Sequence, residues 1–429
     1  MITAFRSNLP LISLPILLYT VYLLFIGPQN ITDISAEKSY DKIIVSDSNL
    51  KVEKVFEGLK FSTGMAMLND GDIIVIEKNS GNILRIHNGS EASKVIANVN
   101  VANMSERGLL GIAISDSFSK YSPSYVFLYY TEKNKNNESQ ILGNNLYRYD
   151  LINNTLLNPK LLLTLPAYPG PSHNGGVLKI SPDNKSLYLV IGNVNYARQK
   201  NFMTQTQNVK NGPPPDGRGG ILRITFDGEV VGGSGILGET SPLNKYFAYG
   251  IRNSFGIGFD HVSGYLWDTE NGQSKHDEIN LVLPGFNSGS NVIQGMSSLK
   301  EGFNTKNLEE FNGNGLYSDP EFEWLDTIAP TSILFLNSKA LGPKYQDDLF
   351  VGSVKNGTIY HFELNKNRTE LELKGSLSDK IANTSNELSE ITFAKNLGII
   401  TDLETGTDDY MYVLSNIDKK GIIFRISPK

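Results

Sequence analysis

From about residue 50 to the C-terminus, hydrophobic residues occur in short runs rather than along helical stripes. The runs are rich in β-branched and aromatic residues and are separated by Gly, Asn and Asp, as in "DIIVIEKNSGNILRI" from residue 72 to 86. Strand-like runs bounded by such turn residues are typical of β-hairpins. The pattern therefore predicts an all-β chain built from strand–turn–strand pairs.

Six such pairs follow one another along the chain, on average roughly 65–70 residues apart, and small sheets repeated at such intervals are typical of a β-propeller. The pairs are DIIVIEKNSGNILRI, YVFLYYTE with NNLYRYDL, SLYLVIGN with GGILRITFDG, GYLWDTEN with DEINLVLPG, DLFVGSVKNGTIYHFEL and YMYVLSNIDKKGIIFRI. We predict a six-bladed β-propeller, with an array of β-sandwiches as the alternative. The run "KVEKVFEGL" (51–59) is a candidate for the strand that closes the last blade.

The N-terminal part of the chain has a different pattern. The segment "LPLISLPILLYTVYLLFIG" (9–27) carries no charge, and about 18–20 apolar residues suffice to cross a bilayer. No small-x-small cleavage site is clear, which favours an uncleaved anchor over a cleaved signal peptide. We therefore expect a signal peptide or membrane anchor at 1–28, a linker at 29–48 and a propeller at 49–429. The propeller would be extracytoplasmic, either secreted or tethered to the membrane through residues 9–27.

Composition narrows the possible functions. A hydrophobic fraction of 40% and a charged fraction of 20% describe a folded globular protein. The net charge of −6 gives no support to nucleic-acid binding, and the absence of Cys excludes disulfides, thiolate metal sites and Cys nucleophiles. Residues 233–238 match a dinucleotide-binding fingerprint formally, but no helical pattern follows them, so we reject that interpretation.

Several polar residues lie in loops where a propeller presents its functional groups. His173 lies in a Pro- and Gly-rich connection, and an imidazole there is either a general base or a structural group. Arg252 and Asn253 suit an anionic or carbonyl-rich planar ligand, although a buried Arg bonded to loop carbonyls fits equally well. Glu106 and Arg107 form a simple ion pair in the plainest interpretation. The loop from Glu270 to Asp277 is longer than a hairpin requires, so it is either a solvated loop or a ligand site.

Taken together, these segments resemble the soluble PQQ-dependent glucose/sorbosone (aldose sugar) dehydrogenase family. The matching segments occur in the family's order and cover nearly everything after residue 50: ERGLLGIA, HNGGVLKISPDNKSLYLVIGN, YGIRNSFGIGFD, GYLWDTENG with DEINLVLPGFNSG, IAPTSILF, DDLFVGSVKNGTIYHFEL and ITDLETGTDDYMYVLSN. The resemblance implies a six-bladed propeller that oxidises aldose sugars to lactones and passes electrons to an external acceptor.

The resemblance also implies a metal site in the long loop. The backbone carbonyls of Gly272 and Gln273 match those that bind a Ca²⁺ ion shared with the quinone PQQ. The family usually has Pro at the second position, so this loop is less rigid. Asp277 and Glu278 match an acidic pair whose Glu binds a structural Ca²⁺, and hard oxygen ligands are what this cation requires.

The remaining site residues follow from the same resemblance. His173 matches the catalytic base that takes the proton of the anomeric hydroxyl, and Arg252 matches the Arg that stabilises charge developing on the quinone oxygen. Asn253 and Lys355 match contacts to PQQ, the Lys with a carboxylate. Glu106 falls where the family lines the site with Gln or Glu.

Trp324 is a candidate for the wall of the sugar-binding pocket.

Three positions depart from the family pattern. Ile399 and Thr401 replace two Arg that bind PQQ carboxylates, and each lost charge-assisted contact is worth about 1.5–3 kcal/mol. Asn193 replaces the Asp that orients the catalytic His, which predicts a poorer base. The alternative function is therefore a catalytically impaired, calcium-binding propeller that binds glycans or proteins. A calcium-dependent lactonase is a third hypothesis, but we find no set of side chains for its metal.

Overall fold

The computed structural model describes residues 43–115, 124–195 and 206–429. Strands dominate these residues and form six sheets, which we number in chain order of their innermost strands. The innermost strands contact one another in the cyclic order β3, β7, β11, β15, β21, β26 and back to β3, so the sheets surround a central axis. An all-β propeller is confirmed, and the six sheets contain the six predicted strand pairs as their second and third strands.

Every sheet begins with its innermost strand and continues outward. The first sheet contains β3 (Ser62–Met67), β4 (Ile73–Glu77), β5 (Asn82–Ile86) and β6 (Ser93–Asn98). The second contains β7 (Leu109–Ile114), β8 (Ser124–Lys133), β9 (Ile141–Ile152) and β10 (Thr155–Leu165). The third contains β11 (Leu178–Ile180), β12 (Ser186–Ile191), β13 (Gly220–Thr225), β14 (Tyr246–Tyr249), β18 (Phe286–Asn287) and β19 (Leu316–Tyr317).

The other three sheets have the same arrangement. The fourth contains β15 (Ser254–Phe259), β16 (Leu266–Glu270), β17 (Lys275–Val282), β20 (Phe322–Asp326) and β24 (Ile381–Ala382). The fifth contains β21 (Pro330–Phe335), β22 (Leu349–Ser353), β23 (Ile359–Phe362), β25 (Thr392–Lys395) and β1 (Ile44–Val45). The sixth contains β26 (Ile399–Thr405), β27 (Met411–Ile417), β28 (Lys420–Pro428) and β2 (Leu50–Leu59). A short helix, α1 (Ser385–Glu390), precedes β25.

Both faces of the inner strands of each sheet are buried, which explains why strands such as β4 and β12 are hydrophobic almost without interruption. Side chains of a strand point alternately to opposite faces. In β4, Ile73 and Val75 join a cluster shared with the sixth sheet, whereas Ile74 and Ile76 join a cluster shared with the second sheet. Six clusters of this kind fill the six gaps between neighbouring sheets.

The ring is closed by a pairing between the two ends of the described chain. Strand β2 pairs antiparallel with β28, from Leu50 opposite Pro428 to Leu59 opposite Gly421. The prediction that residues 51–59 supply the closing strand is confirmed. The joint between the first and last sheets is thus held by backbone hydrogen bonds as well as by side-chain packing.

The predicted N-terminal features are only partly visible. The apolar segment 9–27 lies outside the described residues, and within the described ranges no helix has the length and apolar character needed to cross a membrane. The predicted linker reached residue 48, but Ile44–Val45 forms an edge strand that pairs with β25. The propeller therefore begins a few residues earlier than the sequence indicated.

Candidate active site

The topology gathers most of the sequence-predicted site residues at one mouth of the central channel. In an antiparallel sheet, the start of the first strand and the turn between the second and third strands lie at the same edge. Three connections leading into innermost strands carry Glu106, His173 and Arg252. Three turns between second and third strands carry Asn193, Gly272 and Lys355.

His173 is buried between two polar partners. Its imidazole Nδ1 lies 2.6 Å from Oδ1 of Asn193, and its backbone N–H donates to Glu106 Oε2 at 2.5 Å. Its φ of 61° is a left-handed conformation that few non-Gly residues adopt. Because an amide oxygen can only accept, Nδ1 carries the hydrogen and Nε2 keeps its lone pair. Asn193 therefore still orients the His173 ring and keeps the hydrogen on Nδ1, which is the tautomer that a base requires. What Asn193 lacks is the negative charge of an Asp.

Burial shifts the pKa values of both His173 and Glu106. Desolvation lowers the pKa of His173 to about 3, with a further decrease from the positive charge of Arg252 and a smaller opposing effect from Asn193. Desolvation raises the pKa of Glu106 to about 7, opposed by the His173 N–H and by the charges of Arg252 and Lys78. The imidazole is therefore neutral at physiological pH and able to accept a proton.

The connection that carries His173 is held by side chains and by backbone hydrogen bonds to residues 194–195. Five of its backbone carbonyls accept hydrogen bonds from side chains: Pro166 from Asn144, Ala167 and Gly170 from Arg107, Tyr168 from Arg218, and Pro171 from Asn174. Since each bond fixes one peptide group, residues 166–173 form a rigid arm, which we call the His173 arm.

Gly192 allows the His173 arm to approach the next connection. A Cβ atom at this position would lie 2.6 Å from the carbonyl oxygen of Arg252 and 2.7 Å from that of His173. The N–H of Asn193 also donates to the Arg252 carbonyl at 3.0 Å. The candidate base and the candidate electrophilic Arg are thus held side by side through one close backbone contact.

Arg252 is half-buried and partly bonded to the long loop. Its Nη1 donates to the carbonyl of Asn271 at 2.7 Å, and its backbone N–H donates to Glu270 Oε1 at 2.6 Å. Desolvation lowers the pKa of Arg252, while Glu270, Glu106 and Asp277 oppose that decrease. The neighbouring Asn253 is buried, and its Oδ1 has no hydrogen-bond partner. An unpaired buried amide oxygen points to a missing donor such as a ligand or water.

Asp277 organises the predicted calcium loop by accepting hydrogen bonds from three backbone N–H groups. Its Oδ1 accepts from the Gly272 N–H at 2.8 Å, and its Oδ2 accepts from the N–H groups of Ile328 and Ala329 at 2.7 and 2.8 Å. Desolvation raises the pKa of Asp277, opposed by these bonds and by Lys355. These hydrogen bonds join two loops, and the metal role of Asp277 stays a prediction.

The other predicted metal residues lie around the same loop. Gln273 is exposed, and its N–H approaches Gln294 Oε1 at 3.4 Å. Glu278 is buried, accepts from the Gly295 N–H at 2.5 Å, and has a pKa raised by desolvation and by Glu270. Across residues 43–115, 124–195 and 206–429, no group of three or more His, Asp or Glu side chains is arranged to hold a metal ion. Calcium binding therefore stays a prediction.

Lys355 lies beside this loop, whereas Trp324 lies elsewhere. The Nζ of Lys355 donates to the carbonyl of Thr327 at 2.5 Å, next to the N–H groups that bind Asp277. Trp324 is fully buried in the core between the fourth and fifth sheets, where its ring contacts Phe322 and Tyr360. The assignment of Trp324 to the sugar-binding wall is corrected. A propeller buries both faces of a strand, so this Trp serves the core.

Glu106 and Arg107 do not pair with each other. Glu106 binds the backbone of His173, whereas Arg107 binds carbonyls of the His173 arm. The positive charges that act on Glu106 belong to Arg252 and to Lys78, which is buried and has its pKa lowered by desolvation to about 8.

Sequence reasoning missed Lys78 and the residues that fix the His173 arm. Lys78 lies in a β-turn after a hydrophobic strand, where a solvated Lys is the ordinary expectation. Asn144 and Asn174 form a buried amide pair with a bond of 3.0 Å, although they are 30 residues apart. The one sequence feature that could have indicated Asn144 and Asn174 is the frequent occurrence of Asn near the ends of strands.

The positions that replace the family's Arg pair lie at the start of the innermost strand of the sixth sheet. Ile399 and Thr401 are both half-buried. Thr401 lines a narrow axial cavity of about 40 Å³ together with Lys179 and Glu404, whose charged groups meet across the axis at 2.6 Å.

Comparison with known proteins connects this geometry to a family. A family model described as "Glucose / Sorbosone dehydrogenase" matches residues 59–425. The aldose sugar dehydrogenase YliI of Escherichia coli is 23% identical over 387 residues, which cover 89% of this chain and 94% of that protein. The quinoprotein glucose dehydrogenase B of Acinetobacter calcoaceticus is 30% identical over 236 residues, or 51% of this chain and 48% of that protein.

A solved structure supports the fold. The PQQ-bound aldose sugar dehydrogenase of Streptomyces coelicolor superposes with a TM-score of 0.65 at 21% identity, covering 89% of this chain and 99% of that one. At this identity the likeness concerns the architecture of the propeller.

Proposed function

Because the chain belongs to the glucose/sorbosone dehydrogenase family, we propose that it is a quinoprotein oxidoreductase that converts aldose sugars to lactones with PQQ and Ca²⁺. The family supports the coarser statement, an oxidoreductase that acts on aldose sugars. The finer assignments of cofactor, metal and base rest on the residues at the channel mouth. The observation that carries the proposal is the neutral His173 held beside Arg252 by Asn193, Glu106 and Gly192.

His173 is the proposed general base. Oxidation of the sugar breaks the O–H and C–H bonds at C1 and forms the lactone carbonyl, so a proton and a hydride must leave. Nε2 of His173 has the free lone pair for the proton, because Nδ1 donates to Asn193. The Arg252 charge that lowers the pKa of His173 also stabilises negative charge developing nearby.

The residues present fit PQQ in part. The cations Arg252 and Lys355 are suited to a planar polyanionic quinone, and the unpaired Oδ1 of Asn253 can accept a hydrogen bond from an N–H group of that molecule. When bound there, PQQ would supply the two-electron acceptor for the hydride from C1. Ile399 and Thr401 offer no charge to its carboxylates, so we expect weaker binding than in relatives with the Arg pair.

The proposal also covers the calcium ligands, the electron acceptor and the location of the protein. The backbone carbonyls of Gly272 and Gln273 are the proposed Ca²⁺ ligands, with Glu278 as a candidate for a second, structural ion. Electrons would pass to an external acceptor outside the cytoplasm. Residues 9–27 would either tether the propeller to the membrane or direct its secretion.

Reconstitution tests this function directly. The propeller, residues 43–429, is incubated with PQQ and Ca²⁺, and dye reduction is followed with a panel of aldoses. We expect turnover that is lost in His173→Ala and Arg252→Ala, and retained in His261→Ala, whose side chain lies on an exposed turn. Turnover that survives in His173→Ala would show that the base lies elsewhere.

The alternative is a propeller that binds glycans or proteins without quinone chemistry. The observations that favour it are Ile399, Thr401 and Asn193, each of which removes a charge from the family's site. Thermal stabilisation by Ca²⁺ with no change in PQQ absorbance or protein fluorescence on titration would support this second function against the first.

A further inference from the structure

Tyr168 lies exposed on the rigid His173 arm. Its side chain is 56% exposed, although hydrogen bonds to side chains fix the carbonyl of Tyr168 and those of Ala167 and Gly170 on either side. Large exposed aromatic rings on mobile loops are common and need no explanation. An aromatic ring held in the open by a rigid backbone is a preorganised contact surface.

Arg107 fixes the orientation of this ring. The guanidinium carbon lies 5.4 Å from the centroid of the Tyr168 ring, and Arg107 itself is buried. A cation over an aromatic face is attracted by the ring quadrupole. The chain neighbour of Arg107 is Glu106, which binds the His173 backbone. Two sets of contacts therefore link the Tyr168 ring to His173. One is the backbone of the His173 arm, and the other runs through Arg107 and Glu106.

We propose that Tyr168 is the platform on which the sugar ring is held, and that it determines specificity in place of Trp324. The C–H bonds on the apolar face of a pyranose carry partial positive charge, which the negative face of an aromatic ring attracts. Ligand pockets combine such apolar contacts with a few polar groups that fix orientation. The platform rests on the proposed function, because the sugar it holds is the substrate whose C1 hydroxyl reaches His173.

Kinetics of the PQQ- and Ca²⁺-reconstituted protein test the platform. We expect Tyr168→Ala to raise KM for D-glucose or another accepted aldose about tenfold, with kcat changed much less. Tyr168→Phe, which keeps the ring, should retain the wild-type KM. Tyr265→Ala removes another exposed ring, from a turn in the fourth sheet, and should change nothing. An unchanged KM in Tyr168→Ala would overturn the proposal.

Direct sugar binding separates failure of the platform from failure of the dehydrogenase function. Saturation-transfer NMR with the same aldoses measures contact with the protein in the absence of turnover. If the wild type is inactive but its sugar signals disappear in Tyr168→Ala and persist in Tyr265→Ala, the platform stands and the quinoprotein function falls. Signals equal in both variants, or no sugar binding by the wild type in either assay, would overturn the platform.

Discussion

Replacing Asn193 with Asp places a carboxylate beside the imidazole of His173, and we expect this change to accelerate sugar oxidation. The Nδ1–Oδ1 distance of 2.6 Å leaves the new group in hydrogen-bonding position without rearrangement. Burial lowers the pKa of His173 from 6.5 to about 3, and at about 1.4 kcal/mol per pKa unit the imidazolium is disfavoured by about 5 kcal/mol. Little in the wild-type site offsets this cost when the base takes its proton.

The size of the effect follows from the change in hydrogen-bond type. A bond between neutral groups contributes about 0.5–1.5 kcal/mol, and one to a charged group contributes about 1.5–3 kcal/mol. A difference near 1.4 kcal/mol corresponds to roughly tenfold in rate. We therefore expect kcat/KM at pH 7 to rise roughly tenfold in Asn193→Asp, and its acid limb to move upward from about pH 3 by about one unit.

The assay is dye-coupled sugar oxidation by the PQQ- and Ca²⁺-reconstituted protein across pH. Asn137→Asp is the matched control, since Asn137 is exposed and its Oδ1 accepts from the Ser139 N–H as an Asp would. An unchanged or lower kcat/KM in Asn193→Asp, with PQQ affinity intact, would refute the assignment of His173 as a base oriented by residue 193.

Three further predictions concern stability and cofactor binding. Burial raises the pKa of Glu106 from 4.5 to about 7, so the folded protein keeps this proton at pH values where the unfolded chain has lost it. The contribution of Glu106 to the free energy of unfolding therefore decreases as pH rises from 4.5 to 7, by at most about 3 kcal/mol. Urea unfolding should show wild type losing stability relative to Glu106→Gln over this range, and parallel curves would contradict the buried, protonated carboxyl. Asp277→Ala leaves three N–H groups without their acceptor and should lower the free energy of unfolding by about 3 kcal/mol or more, with Asp277→Asn intermediate; a loss below about 1 kcal/mol would be inconsistent with these bonds. Ile399→Arg should tighten PQQ binding roughly 10- to 150-fold in a fluorescence titration, while Ile44→Arg on the outer edge should not; equal affinities would place the quinone carboxylates away from position 399.

The fold was accessible from the sequence because its repeating unit is local. Each predicted pair, such as residues 72–86, forms the second and third strands of one sheet, and the turn residues between them mark the hairpin. The closing strand β2 was found because an unpaired strand-like run near one terminus had one natural partner. The start of the propeller was missed by a few residues, since two residues such as Ile44–Val45 carry too little pattern.

The sequence predicted site residues correctly only where the topology of the propeller determines their position. His173 and Arg252 meet because both precede innermost strands of neighbouring sheets. Trp324 was misplaced because a strand buried on both faces gives no periodicity that distinguishes core from pocket. Two of the three backbone N–H groups that donate to Asp277 could not be predicted, because the loop at residues 328–329 lies about 50 residues away in the sequence.

The pairing of β2 with β28 also sets the order in which the ring can be completed. Residues 50–59 are synthesised before the six innermost strands, yet the strand they pair with, Lys420–Pro428, is the last to leave the ribosome. Until then the edge of β2 that pairs with β28 has no neighbour, and a free strand edge invites pairing with other chains. A stop codon that removes only the last ten residues would therefore leave a complete set of site residues on an open, aggregation-prone ring.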